Sequence, residues 1–183
     1  MKKEIRLAVL DLGSNSVRME IYQIFSDGSY KSIRKEKRLV CLSEKMGKEK
    51  KLRPVPIRRT LEALKEFKKF LEIICVHEVR ALATEAVRRA SNRMEFLRQV
   101  KKETGFVFHV ISGREEAYYD CLGVDFSLHM NRYMMIDTGG GSVEIALVIR
   151  GKMIHSASLP MGSVILSEKW GLSGKLPAAP PGS

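Results

Sequence analysis

Paired cysteines, long apolar runs and clustered histidines are all missing from this 183-residue sequence. Its three cysteines (Cys41, Cys75, Cys121) stand far apart and form no C-x-x-C, so neither a disulfide framework nor a thiolate metal site is indicated, and reduced thiols are expected. His77, His109, His129 and His155 show no metal-ligand spacing. No run approaches the ~18 apolar residues of a membrane span. The opening Met1-Lys2-Lys3 imitates a secretory signal, but Ile5–Leu10 contains Arg6 and stops at Asp11, too short and too charged for export. The expectation is a cytoplasmic protein with no membrane partner.

Aromatic residues are few, at 7%, and only Tyr30 lies near the basic stretch, which leaves little for stacking single-stranded bases. Nucleic acid is therefore not the expected partner. What is plentiful is positive charge in one place. Twelve Lys/Arg and three Glu fall between Lys31 and Arg59, a net of +9 out of +11 for the chain. Such a segment either steers a polyanion or forms a solvated loop and helix start. Hydrophobic residues at 44% are enough for a folded core.

Along the chain, Ile5–Leu12 and Val17–Phe25 read as strands around the turn Gly13-Ser14-Asn15-Ser16, and Ser26-Asp27-Gly28-Ser29 turns into a third strand, Tyr30–Arg38. Pro54 and Pro56 lead into a helix whose apolar positions run from Ile57 to Ile74 at helical spacing. A strand at Val79–Ala83, a helix capped by Ser91 or Asn92, a strand at Phe106–Ile111 and a helix at Arg114–Gly123 follow. This order predicts a mixed sheet flanked by helices, an α/β fold. At Tyr133 the opening pattern returns, with strands at Tyr133–Asp137, Val143–Arg150 and Lys152–Leu159 and a helix start at Ser163–Trp170. At an offset of 126, Asp11 falls on Asp137, Gly13 on Gly139, Ser16 on Ser142 and Val17 on Val143, the mark of a duplicated unit. The expected organisation is a first lobe at 1–125, the start of a second at 126–172 and a Gly/Pro-rich disordered tail at 173–183. A three-stranded sheet without covering helices leaves apolar strands exposed, and this invites pairing, a homodimer included.

Both turns suit phosphate. Glycine lets the backbone approach an anion without a Cβ in the way, successive N–H groups form an anion-binding nest, and Ser and Asn add donors. An aspartate entering each turn can hold Mg²⁺.

Five segments, in order, resemble the exopolyphosphatase/guanosine pentaphosphate phosphatase (Ppx/GppA) family. They are Leu10-Asp11-Leu12-Gly13-Ser14-Asn15-Ser16-Val17-Arg18, the A-T-x-A-x-R-x-A-x-N run from Ala83 to Asn92, Ile111-Ser112-Gly113-Arg114-Glu115-Glu116-Ala117, Ile136-Asp137-Thr138-Gly139-Gly140-Gly141-Ser142-Val143-Glu144, and Ser158-Leu159-Pro160-Met161-Gly162. The resemblance implies the actin-like ATPase (ribonuclease H-like) fold, first lobe complete and second truncated, with substrate between the lobes. It implies a phosphoanhydride hydrolase that releases terminal orthophosphate from polyphosphate or guanosine pentaphosphate (pppGpp), with Mg²⁺ or another divalent cation.

By the same resemblance Glu116 is the general base or water-orienting carboxylate. Gly13, Ser14, Asn15, Gly139, Gly140, Gly141 and Ser142 cradle phosphate, Arg88 meets the anion, and Asp11, Asp137 and Glu144 position metal or water. Arg18 is either an anion contact or an outward strand residue. Glu115, about 100° round the helix from Glu116, is expected in solvent. Two departures stand out: Thr138 replaces an aliphatic residue, and Glu85 stands where a small or basic residue is usual. A truncated second lobe predicts weak or no turnover by this chain alone, because the anhydride must be held in line from both sides. A non-catalytic phosphate or nucleotide sensor is the alternative. A sugar kinase or actin-like ATPase ranks behind both, since it needs an adenosine pocket in the second lobe.

Overall fold

The computed structural model describes residues 4–171; the tail expected at 173–183, and residue 172, lie outside the described residues. Strands β1 (Ile5–Leu12), β2 (Ser16–Ile24) and β3 (Tyr30–Leu39) form an antiparallel meander. β4 (Glu78–Ala83) and β5 (His109–Val110) extend it in parallel from β1, giving the order β3-β2-β1-β4-β5. Parallel neighbours require crossovers. These are α1 (Pro54–Ile73), with Pro at its first turn, then α2 (Glu85–Arg88) and α3 (Arg93–Thr104).

Alternation decides which side of this sheet is core. Ala8, Leu10 and Leu12 of β1 and Val17, Met19 and Ile21 of β2 are buried with Leu64 and Phe67 of α1 and Phe96 of α3. Each such large side chain contributes roughly 1.5–3 kcal/mol on burial. The opposite face is polar at one end. There Asp11, Arg18 and Lys37 lie in direct cross-strand register on β1, β2 and β3.

The second sheet, β6 (Arg132–Thr138), β7 (Val143–Ile149) and β8 (Lys152–Leu159), repeats the opening meander. The turns repeat in detail: the Gly13 amide donates to the Ser16 carbonyl at 3.0 Å and the Gly139 amide to the Ser142 carbonyl at 2.9 Å. Asp11 pairs with Arg18, and Asp137 with Glu144, so the duplication read from four matching residues holds in three dimensions.

Three local expectations change. The second sheet is not bare, because α4 (Gly113–Leu128) covers one face with Ala117 and Cys121 against Tyr133, Met135, Ala146 and Val148. Its other face presents Met134 and Ile136, 65% and 62% exposed. The strand expected over Phe106–Ile111 shrinks to two residues; Phe106 and Phe108 are buried, yet only His109 and Val110 pair with β4. Asn92 stands at the start of α3 without capping it, its amide instead clamping both backbone groups of Leu52 at 2.9 and 3.2 Å. α5 (Ser163–Trp170) closes the described chain.

Candidate active site

The two glycine turns meet. A Cβ on Gly141 would stand 2.1 Å from the Ser14 hydroxyl oxygen, and one on Gly140 would stand 3.1 Å from the Asn15 Cβ. Only residues without side chains let the two backbones approach this closely. Each turn is held from behind. The amides of Val40 and Cys41 donate to the Asn15 carbonyl and that of Ser43 to the Ser14 carbonyl, at 2.9–3.1 Å. On the other side, the amides of Ser163, Val164 and Gly162 occupy the carbonyls of Gly139, Gly140 and Gly141 in turn. The backbone from Gly162 to Val164 thus fixes the second turn.

Between the turns lies a cavity of about 250 Å³. Eleven of the thirteen site residues expected from sequence line it: Asp11, Gly13, Ser14, Asn15 and Arg18 from the first lobe's turn, Asp137 and Gly139 to Ser142 from the second, and Glu116 from α4. The amides of Gly140 and Gly141 meet no protein acceptor among the described residues, and the Ser14 hydroxyl is buried without a partner. Unused donors converging on a polar cavity are what an anion requires.

The other two stand behind the wall. Glu144, 1% exposed, accepts a 2.7 Å bond from the Ser158 hydroxyl. Arg88 does not line the cavity. Its guanidinium is clamped between Glu85 (2.7 Å) and Glu116 (3.0 Å) and also donates to the Ile111 carbonyl. Arg88 therefore orients Glu116, and Glu85, which does line the cavity, absorbs part of its charge. Glu115 is exposed as expected, yet it is not idle, since with Ser112 it forms the capping box that starts α4.

One acidic residue that sequence reading missed stands close to the site without lining the cavity. Asp120 lies one helical turn after Glu116, and its Oδ2 is buried with no hydrogen-bond partner. Burial, reinforced by Asp137, Glu144 and Asp11, pushes its carboxyl up to about 6. The signal was the i, i+4 spacing of two acids on one helix face. Asp11 is likewise raised by burial, with Arg18 opposing and Asp137 adding to the shift. The two aspartates thus feel one another across the shared cavity. Glu116 is pushed up to about 7, mainly by burial, against the opposing bond from Arg88 and with further push from Glu144.

These oxygen-only donors suit a hard divalent cation. Asp11, Asp120 and Asp137 repel one another without a counter-ion, and one Asp120 oxygen is orphaned. Among the described residues, however, no three such groups converge closely enough to ligate an ion by themselves. That fits Mg²⁺, which keeps several waters and binds through one or two carboxylates plus substrate phosphate.

If Glu116 acts as a base, turnover should fall about tenfold per pH unit below its value of about 7. A pH profile of kcat flat down to pH 5 would exclude that role.

Comparison with known proteins agrees with this geometry. The Ppx/GppA phosphatase family model matches residues 21–178. The bifunctional 3-dehydroquinate synthase/phosphatase of Fusobacterium nucleatum is 33% identical over 184 residues, 96% of this chain and 28% of that protein. Exopolyphosphatase 1 of Mycobacterium leprae is 31% identical over 180 residues, covering 97% of this chain and 52% of its own. The crystal structure of the Aquifex aeolicus Ppx/GppA family member superimposes with a TM-score of 0.77 at 40% identity, over 91% of this chain and 54% of that one. The chain spans about half the length of the exopolyphosphatase it matches.

Proposed function

This chain belongs to the Ppx/GppA phosphatase family and has its α/β, actin-like fold, and from that premise we propose that it hydrolyses phosphoanhydrides, releasing orthophosphate from the end of polyphosphate or guanosine pentaphosphate. The observation that carries the reading is the meeting of two glycine turns, with uncommitted amides, around a cavity onto which Glu116 faces.

In this reading the amides of Gly140 and Gly141, with the Ser14 hydroxyl, hold the terminal phosphate oxygens. A water opposite the bridging oxygen bonds to phosphorus as the bridging P–O bond breaks, and Glu116 takes the water's proton. Arg88 keeps the Glu116 carboxylate aimed and ionisable. Positioning and charge stabilisation account for most of the rate in such transfers. Asp11 and Asp137, which line the cavity, would hold a divalent cation through water and substrate phosphate, with the negative charge of Asp120 and Glu144 behind them, and its positive charge would neutralise that of the phosphate. Residues 1–125 and 126–172 are read as the two lobes, the uncovered face at Met134 and Ile136 as a surface for a second copy, and the cytoplasm as the compartment. No helix among the described residues is long and apolar enough to cross a membrane.

Phosphate release from both substrates, with Mg²⁺ and with a chelator, tests the activity. A chain that binds neither anion in either condition overturns the reading. The cation has its own test. Because Glu116 and Asp120 hold protons in the folded state to about 7 and about 6, while the unfolded chain loses them near ordinary carboxyl values, their contribution is fully present at low pH. It is lost as pH rises through those folded values. Mg²⁺ at ten times its Kd should therefore raise stability by about 1.4 kcal/mol at pH 7.5, a Tm gain of roughly 3–6 °C, and do little at pH 5. An equal gain at both pH values would show that binding of the ion does not depend on the ionisation of these carboxylates.

A further inference from the structure

The basic segment from Lys31 to Arg59 divides according to partners. Arg34 and Arg38 pair with Glu36, Lys35 with Glu20, Arg53 with Glu49 and Arg59 with Glu44. Lys37 has no ion pair among the described residues, and it lines the phosphate cavity. Arg18, also on that wall, is likewise unpaired among them. Both are exposed, so they stand where the cavity meets solvent.

Their placement is fixed by register: Asp11 faces Arg18, and Arg18 faces Lys37. At ~4.8 Å per strand, the Lys37 Cα lies about 10 Å from that of Asp11. A row of two cations with no close ion-pair partner among the described residues therefore leads from the cradle across β2 to the edge strand β3. Further along the same strand, Lys35 is cancelled by Glu20 at 2.8 Å.

We propose that Lys37, together with Arg18, forms a subsite for the phosphates beyond the third in a linear inorganic polyphosphate, so that the site discriminates by chain length. This rests on the reading of the glycine turns as a cradle for the terminal phosphate. The row offers repeated charge and no surface for a base. Among the described residues no aromatic ring lines the cavity between the turns, so nothing in it stacks on a base. A chain that repeats one anionic group is what such a row complements.

The test is equilibrium binding of pyrophosphate, long-chain polyphosphate and guanosine pentaphosphate to the full 183-residue chain at low salt with Mg²⁺. Lys37→Gln should weaken long-chain binding roughly three- to fivefold, and Lys37→Glu about tenfold, as for exposed charge contacts. Pyrophosphate should change less than about twofold, and Lys35→Gln should match the unaltered chain. An equal loss on pyrophosphate or on guanosine pentaphosphate, or no loss on the long chain, overturns the assignment of Lys37. Failure of the unaltered chain to bind any of the three anions instead overturns the parent reading of the cradle.

Discussion

Replacing Glu116 with Gln should lower phosphate release roughly 100- to 10,000-fold, the range of a general base or water-orienting group, while polyphosphate affinity stays nearly unchanged. The amide is isosteric and still accepts the bond from Arg88, which the carboxylate accepts at 3.0 Å. It cannot take a proton from water. Loss of turnover with retained binding places the interaction in the transition state alone. The measurement is single-turnover phosphate release beside equilibrium binding. Turnover within about tenfold of the unaltered chain would remove Glu116 from the chemistry, and a binding-only sensor would show no change in either quantity.

The second large effect is expected at a residue that touches no substrate. Gly162→Ala puts a Cβ 2.5 Å from the Gly140 carbonyl carbon and the Gly141 amide nitrogen. Both neighbours are backbone, so no rotamer relieves the clash, and the second turn must move. Overpacking of this kind costs about 1–3 kcal/mol, a fall in Tm of roughly 2–12 °C. Displacing the amides of Gly140 and Gly141 by about an ångström should cost on the order of 100-fold in activity. Gly123→Ala is the control. Its Cβ meets nothing within 4 Å, and an interior helix glycine gains up to about 1 kcal/mol from the change. Unaltered melting and phosphate binding in Gly162→Ala would show that the turn is not held as described.

Much of this site is legible in the sequence because its chemistry is local. An aspartate at a strand end, a glycine turn and the next strand lie close together in the chain, and the turn's own backbone makes the nest. Glu116 is legible by family resemblance. What the chain does not announce depends on side chains from distant segments. The ion pair of Arg88 with Glu116, which belongs to a different segment of the chain, is one such contact. Asp120 looks like a surface acid until α4 is seen packed against the second sheet. That packing is itself hard to read, because the helix buries only Ala117 and Cys121, too small a stripe to stand out among Tyr118, Tyr119, Leu122 and Phe126, all exposed. Glu85 was visible as a departure from pattern; its consequence, a shared hold on Arg88, was not.

The contact of Gly141 with Ser14 and of Gly140 with Asn15 also sets a mechanical limit. Backbone already rests against backbone and side chain there, so the described arrangement is the inner end-stop of any hinge between the sheets. Motion from this point can only part the jaws.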